Sequence, residues 1–184
     1  MIRQTVPDFD MEAVPMDDAA TFKMLGEGHA FGVFQFESAG MRNVITQLGP
    51  ESIEDLIAVI SLYRPGPMES IPRYIRNRHN PQLVTYKTPE LRPILDVTYG
   101  CIVYQEQVMQ ICRQLAGYSY GRADLVRRAM AKKKHDVMEK ERESFLDGAE
   151  QNGIDRKIAN EIFDEMSSFA SYAFNKSHAA NNIA

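Results

Sequence analysis

The residues with the clearest chemical capacity are the cations of GRADLVRRAMAKKKH, residues 121–135. At about 100° per residue, Leu125, Val126, Ala129, Met130 and Val137 fall on one side of a helix. Arg127, Arg128, Ala131, Lys132, Lys134 and His135 fall on the other, within an arc of about 160°. Guanidinium forks bind phosphate oxygens in pairs, and lysines add a diffuse positive potential. The small Ala131 in mid-arc leaves room for an anion between flanking cations. The alternative is a solvated basic face, partly neutralised by Asp124 three and four residues before the arginines.

A second cationic stretch is SLYRPGPMESIPRYIRNRH, residues 61–79, where Arg64, Arg73, Arg76 and Arg78 are interleaved with Tyr63 and Tyr74. Aromatic rings among arginines can stack on bases while the cations meet phosphates. A rigid proline turn with its tyrosines packed inward would have the same composition. A third is FNKSH, residues 174–178, whose Asn175, Lys176 and His178 could contact a phosphate or a base edge. Its Ser177–His178 pair does not make a nucleophile, because that needs spatial geometry rather than adjacency. In YQEQVMQI, residues 104–111, Glu106 and its neighbouring glutamines either contact nucleic acid or line a helix surface. Asp8 and Asp10 in PDFD have the spacing of paired metal carboxylates, but no apolar strand flanks them, and a solvated acidic loop fits better. No phosphate-binding glycine–lysine loop and no cysteine–histidine metal spacing occurs. Cys101 and Cys112 are expected to be half-buried free thiols.

The elements that must position these residues are mostly helical. Helices are expected over 18–25, capped by Asp17-Asp18, then over 38–47 and over 53–62 behind Ser52. Further helices are expected over 104–116, closed by Gly117, and over 121–134, 136–151 and 156–167, with SSFASYAFNKSHAA as a loop entering a final helix. GVFQFES, residues 32–38, alternates and is expected to begin extended. Pro65-Gly66-Pro67 stops one helix, and residues 77–100 are loop-rich, with both halves packing together. The fold class is therefore mainly α, with little or no β.

The 184 residues suffice for one domain with a true core, and the net charge of −4 excludes a uniformly basic nucleic-acid coat. Charge is nevertheless segregated. Residues 1–30 carry six acids against two bases, residues 113–142 nine bases against four acids, and residues 143–170 seven acids against two bases. The basic centre points to an anionic ligand. No apolar run is long enough for a transmembrane helix, and the acidic start is not a signal peptide, so a cytoplasmic location without membrane contact is expected.

Taken in order, GVFQFES, SLYRPGP, YGCIVYQEQVMQI, GRADLVRRAMAKKK, FLDGAEQNGI and YAFNKSHAA resemble the C-family replicative DNA polymerases of bacteria, the DNA polymerase III alpha subunits. The resemblance runs over roughly residues 10–180 and corresponds to the first part of that family's fingers domain. It implies a linker over 1–20, a partial fingers domain over 21–180, and an end at 181–184 that is divergent or a truncation scar. It places PDFD in a variable linker ahead of Val14-Pro15-Met16-Asp17-Asp18, not in the metal-binding palm. It implies that Arg127 and Arg128 lie near the phosphates of the incoming deoxynucleoside triphosphate and that Asn175, Lys176 and His178 form part of the nucleotide and template pocket. Lys132, on the same basic arc, is a further nucleotide-binding candidate. Arg64, Arg73, Arg76, Arg78, Lys133 and Lys134 are the matching candidates for DNA. The implied partners are primer–template and, for the parent, the sliding clamp and other polymerase III subunits. Mg2+ would be held by palm aspartates outside this chain, so the segment alone is expected to be inactive. A stand-alone nucleic-acid-binding helical module and a ligand-free helical interaction domain are the competing readings. Triphosphate binding competed by pyrophosphate, indifferent DNA binding, or no anion binding would separate the three.

Overall fold

Short polar side chains ahead of apolar runs start most of the helices, as helix ends demand. The computed structural model describes residues 2–10, 13–132, 135–170, 174–181 and 183. After a single turn, α1 (Ile2–Thr5), comes α2 (Ala19–Gly26), whose Asp18 carboxylate accepts from Thr21 N at 2.9 Å. The Thr21 hydroxyl also donates to this carboxylate and holds it below the usual aspartate range. Helix α3 (Ala39–Leu48) is capped by Ser38 and closed by Gly49, whose φ of 58° is left-handed. Helix α4 (Ile53–Leu62) is capped by Ser52 and buried from Asp55 to Leu62.

Two segments differ from expectation. Residues 32–38 form successive turns instead of extended chain, because Val33 N and Phe36 N bond back to Ala30 O and Val33 O. The cationic stretch around Pro72 holds a helix, α5 (Ile71–His79). Proline is harmless in a first turn, where its missing N–H has no helical partner, and Arg76, Arg78 and His79 suit the negative end. The loop-rich region that follows contains one α turn, α6 (Arg92–Leu95), between two 3-10 turns.

The remaining helices are α7 (Gln105–Ala116), α8 (Tyr120–Ala131), α9 (His135–Gln151), α10 (Arg156–Ala170) and α11 (Lys176–Asn181). Helix α8 is shorter than expected; Lys132 caps it. Asp155 Oδ1 accepts from Lys157 N and Ile158 N, and α10 continues to Ala170, beyond its expected end at 167. Among the described residues the chain is mainly α, and the pairing of Tyr104 with Phe174 is an isolated parallel bridge.

Apolar side chains gather into two adjoining cores. One joins α2–α5 to Ala179 of α11, and the other joins α6–α10. The short segment 101–104 serves both: Cys101, Val103 and Tyr104 enter the first core, and Ile102 enters the second. Both cysteines are free and buried, not half-buried, and burial pushes the thiols up to about 11 for Cys101 and about 12 for Cys112. Salt bridges from Arg73 to Glu165 and from Lys87 to Glu161 also join distant parts of the chain. No helix of the described residues is long and apolar enough to cross a membrane.

The turn into α7 is held by one side chain. Gln107, 3% exposed, accepts from Val103 N and Tyr104 N at 2.8 and 2.9 Å. Its amide donates to Ile94 O at 3.2 Å and to Thr98 Oγ1 at 2.8 Å. The Thr98 hydroxyl in turn donates to Cys101 O at 2.6 Å. Gln107→Leu would leave two buried N–H groups without an acceptor, at a cost of about 3 kcal/mol. Denaturant unfolding of the 184-residue chain should register that loss, with hydrogen-exchange protection falling at Val103 and Tyr104; unchanged protection at both would contradict this role.

Candidate functional site

The first turn of α7 is bonded to two other segments, α8 and residues 174–176. Gln105 N donates to Phe174 O at 3.0 Å, tying residues 174–176 to the helix entry. The side-chain oxygen of Gln105 accepts from Arg127 Nη1 at 2.9 Å. Next to it, Glu106 Oε1 accepts from Asn175 Nδ2 at 3.0 Å, and Glu106 Oε2 accepts from Lys176 N at 3.4 Å. Two consecutive residues thus grip α8 on one side and the start of α11 on the other.

The basic face of α8 is less free than its composition suggests. Arg127 donates from Nε and Nη2 to Asp124 Oδ1 at 2.9 and 2.8 Å, while Arg128 Nη2 meets Asp124 Oδ2. One carboxylate therefore bridges both guanidinium groups and leaves the trio with one net positive charge. The bond from Arg127 holds the Asp124 carboxyl below the usual aspartate range. Arg127 is 23% exposed and constrained on three nitrogens; Arg128 is 61% exposed. Lys132, at the helix end, is exposed, and Lys133 and Lys134 lie outside the described residues.

Residues 174–178 form a second face. Asn175 Oδ1 accepts from His178 N at 2.9 Å and starts α11. Lys176 Nζ donates to Glu54 Oε1 at 3.0 Å, across 122 residues of sequence, and lies 5.5 Å from the centre of the Tyr104 ring. The His178 ring is 5.3 Å from that of Phe174. On the same Phe174 ring sits the Arg64 guanidinium, 4.1 Å from its centroid, with Nε and Nη2 donating to Ser61 O.

Arg127, Asn175 and Lys176 thus meet around Tyr104–Glu106, while Arg64 and His178 lie against the neighbouring Phe174 ring. Arg128 and Lys132 extend this group along α8. The other arginines of the 61–79 stretch have different surroundings. Arg73 donates to Glu165 Oε1 and Gly100 O, both at 3.0 Å. Arg76 is exposed. Arg78, 14% exposed, is committed to Asp55 at 3.1 Å and Glu51 at 2.8 Å. Asp8 and Asp10 are exposed near the start of the chain. Sequence reading overlooked Glu54 and left Gln105 without a distinct role.

With this geometry in view, the chain belongs to a known class: it matches the bacterial DNA polymerase III alpha subunit finger domain family over residues 1–153. It is 52% identical over 174 residues to the DNA polymerase III subunit alpha of Staphylococcus epidermidis and 51% identical to that of Staphylococcus aureus. Each match covers 95% of this chain and 16% of the relative, so the chain spans about a sixth of the length of these relatives.

Two outcomes follow from the ion pairs. Arg78→Ala strands the buried Asp55 carboxylate and should cost about 3–5 kcal/mol in denaturant unfolding, whereas Arg76→Ala should stay within about 0.5 kcal/mol of the parent. Equal effects would mean that Arg78 is not structural. The Asp124 carboxyl, followed by NMR titration, should have its midpoint below the ordinary value of 3.8 and move back up in Arg127→Ala. Because the folded value is the lower one, its stabilisation is present above the ordinary value and lost as pH falls through the folded one. A midpoint unmoved by Arg127→Ala would exclude Arg127 as the dominant cause.

Proposed function

We propose that this chain is a fingers segment of a replicative DNA-directed DNA polymerase and positions the incoming deoxynucleoside triphosphate and the primer–template. The observation that carries this reading is the meeting of Arg127 with Asn175 and Lys176 around Gln105–Glu106. In a chain of this family, cationic and amide side chains gathered in this way suit a polyphosphate joined to a base. Arg128, mostly exposed beside Arg127, and Lys132 would add charge for the phosphates. Arg64, stacked on Phe174, and exposed Arg76 are the strongest candidates for nucleic acid. Arg78, 14% exposed between Asp55 and Glu51, is the weakest of the four arginines.

In the full-length subunit, nucleotidyl transfer would take place on a palm domain outside this chain, with Mg2+ aiding in-line attack by the primer 3′-hydroxyl. The fingers would contribute orientation and charge stabilisation to that reaction, without covalent chemistry of their own. The segment alone would then be inactive. The full-length protein would act in the cytoplasm with primer–template, the sliding clamp and other polymerase III subunits.

A hydrogen bond to a charged group contributes roughly 1.5–3 kcal/mol, or about 10- to 150-fold in affinity. Arg127→Ala and Arg128→Ala in the full-length subunit should therefore each lower kcat/KM for nucleotide at least about tenfold, with a much smaller loss of primer–template affinity. Near-normal nucleotide kinetics combined with a loss of DNA affinity would instead make α8 a DNA-backbone contact, as in a nucleic-acid-binding module.

A further inference from the structure

Arg127 and Lys176 lie 49 positions apart and belong to different cores. Helix α8 is anchored in the second core by Ala123, Val126, Ala129 and Met130. Phe174 and Ala179 pack against or within the first core. Core packing alone would leave the spacing of the two cations dependent on how two apolar clusters settle against each other. Hydrogen bonds from Gln105 and Glu106 span that junction directly, at 2.9 Å to Arg127 and 3.0 Å to Asn175. Both residues are only partly buried, so neither is needed to fill a core.

The chemistry of the two side chains suits different tasks. Gln105 supplies a neutral acceptor, which aims a guanidinium without cancelling its charge; Asp124, on the same guanidinium, already cancels one. Glu106 supplies a carboxylate to an amide and a backbone N–H, and an acid is favoured in the first turn of a helix. Its bond to Asn175 also fixes the residue that caps α11, and with it the direction in which Lys176 and His178 leave the chain.

We infer that Gln105 and Glu106 are positioning residues that hold Arg127 and the Asn175–Lys176–His178 segment at the spacing a nucleotide requires. The inference rests on the nucleotide-positioning reading above. The gain is pre-organisation: the ligand does not have to order cations that are already oriented.

Double-mutant cycles in the full-length subunit test this, with deoxynucleoside triphosphate kinetics and primer–template affinity as readouts. Gln105→Ala should raise KM for nucleotide roughly tenfold, with primer–template affinity and melting temperature little changed. In an Arg127→Ala background the same substitution should add almost nothing, because Gln105 acts through Arg127. Glu106→Ala should behave likewise against Asn175→Ala, and Glu106→Gln, which retains an acceptor for Asn175, should recover most of the loss. If an alanine variant is destabilised, Gln105→Glu, which keeps the bond to Arg127 but adds a carboxylate that cancels its charge, should still raise KM while retaining the parent's melting temperature. An unchanged KM there would contradict the role of a neutral acceptor. Full additivity, or an unchanged KM in Gln105→Ala while Arg127→Ala is impaired, would overturn the positioning role and leave the nucleotide reading standing. Unimpaired nucleotide kinetics in Arg127→Ala would instead remove the reading on which the inference rests.

Discussion

Everything that converges at the candidate site depends on the buried amide of Gln107. Residues 101–104 run between two cores, a place where backbone groups cannot turn to water, and unpaired N–H groups there are costly. By accepting from Val103 N and Tyr104 N and donating to Ile94 O and Thr98 Oγ1, Gln107 satisfies that segment from both ends. It thereby sets where α7 begins. Gln105 and Glu106 inherit their direction from that start, and through them the approach of Arg127 and of residues 174–176 is set.

Charge is organised by pairing more than by exclusion. The basic run 113–142 and the acidic run 143–170 look like opposite poles in the sequence, yet they fold against one another. Arg142 meets Asp164 at 2.7 Å and lies 4.8 Å from the centroid of the Phe163 ring. Within the basic run itself, Arg122 pairs with Glu141 at 3.0 Å while stacking over Tyr118. Segregation along the chain therefore overstates segregation in space, and the net positive character that survives on α8 is concentrated on Arg128 and Lys132. Asp124 moderates even that remainder. It keeps two like-charged guanidinium groups together, which would otherwise repel, at the expense of part of the field they offer to an anion.

The same economy appears where α11 meets α4. Lys176 pairs with Glu54 while its own backbone N–H faces Glu106, so a short terminal helix of six residues is held by polar contacts as well as by Ala179 in the core. Most of these pairs are at least partly exposed, where an ion pair contributes little to stability. Their value lies in orientation.

Much of this was determined by the sequence alone, and the reasons are local. Ser38, Ser52, Asp155 and Asn175 cap helices through bonds to residues only two or three positions away, and Gly49 and Gly117 close helices through their own left-handed backbone. The mainly α class and most helix bounds were accordingly legible, as was the partial neutralisation of Arg127 and Arg128 by Asp124 on the same helix. Helix α5 was not legible, and the alternation in residues 32–38 misled, for the opposite reason: propensity and period are weak where a first-turn position or a chain of tight turns decides the outcome. What only tertiary structure decided is which polar side chains share a place. Glu54 finds Lys176 across 122 residues, Gln105 finds Arg127, and Arg78 turns inward to Asp55, because each partner is delivered by the packing of another helix. No spacing along one chain segment encodes such a distance, since it is set by the apolar faces that bury together.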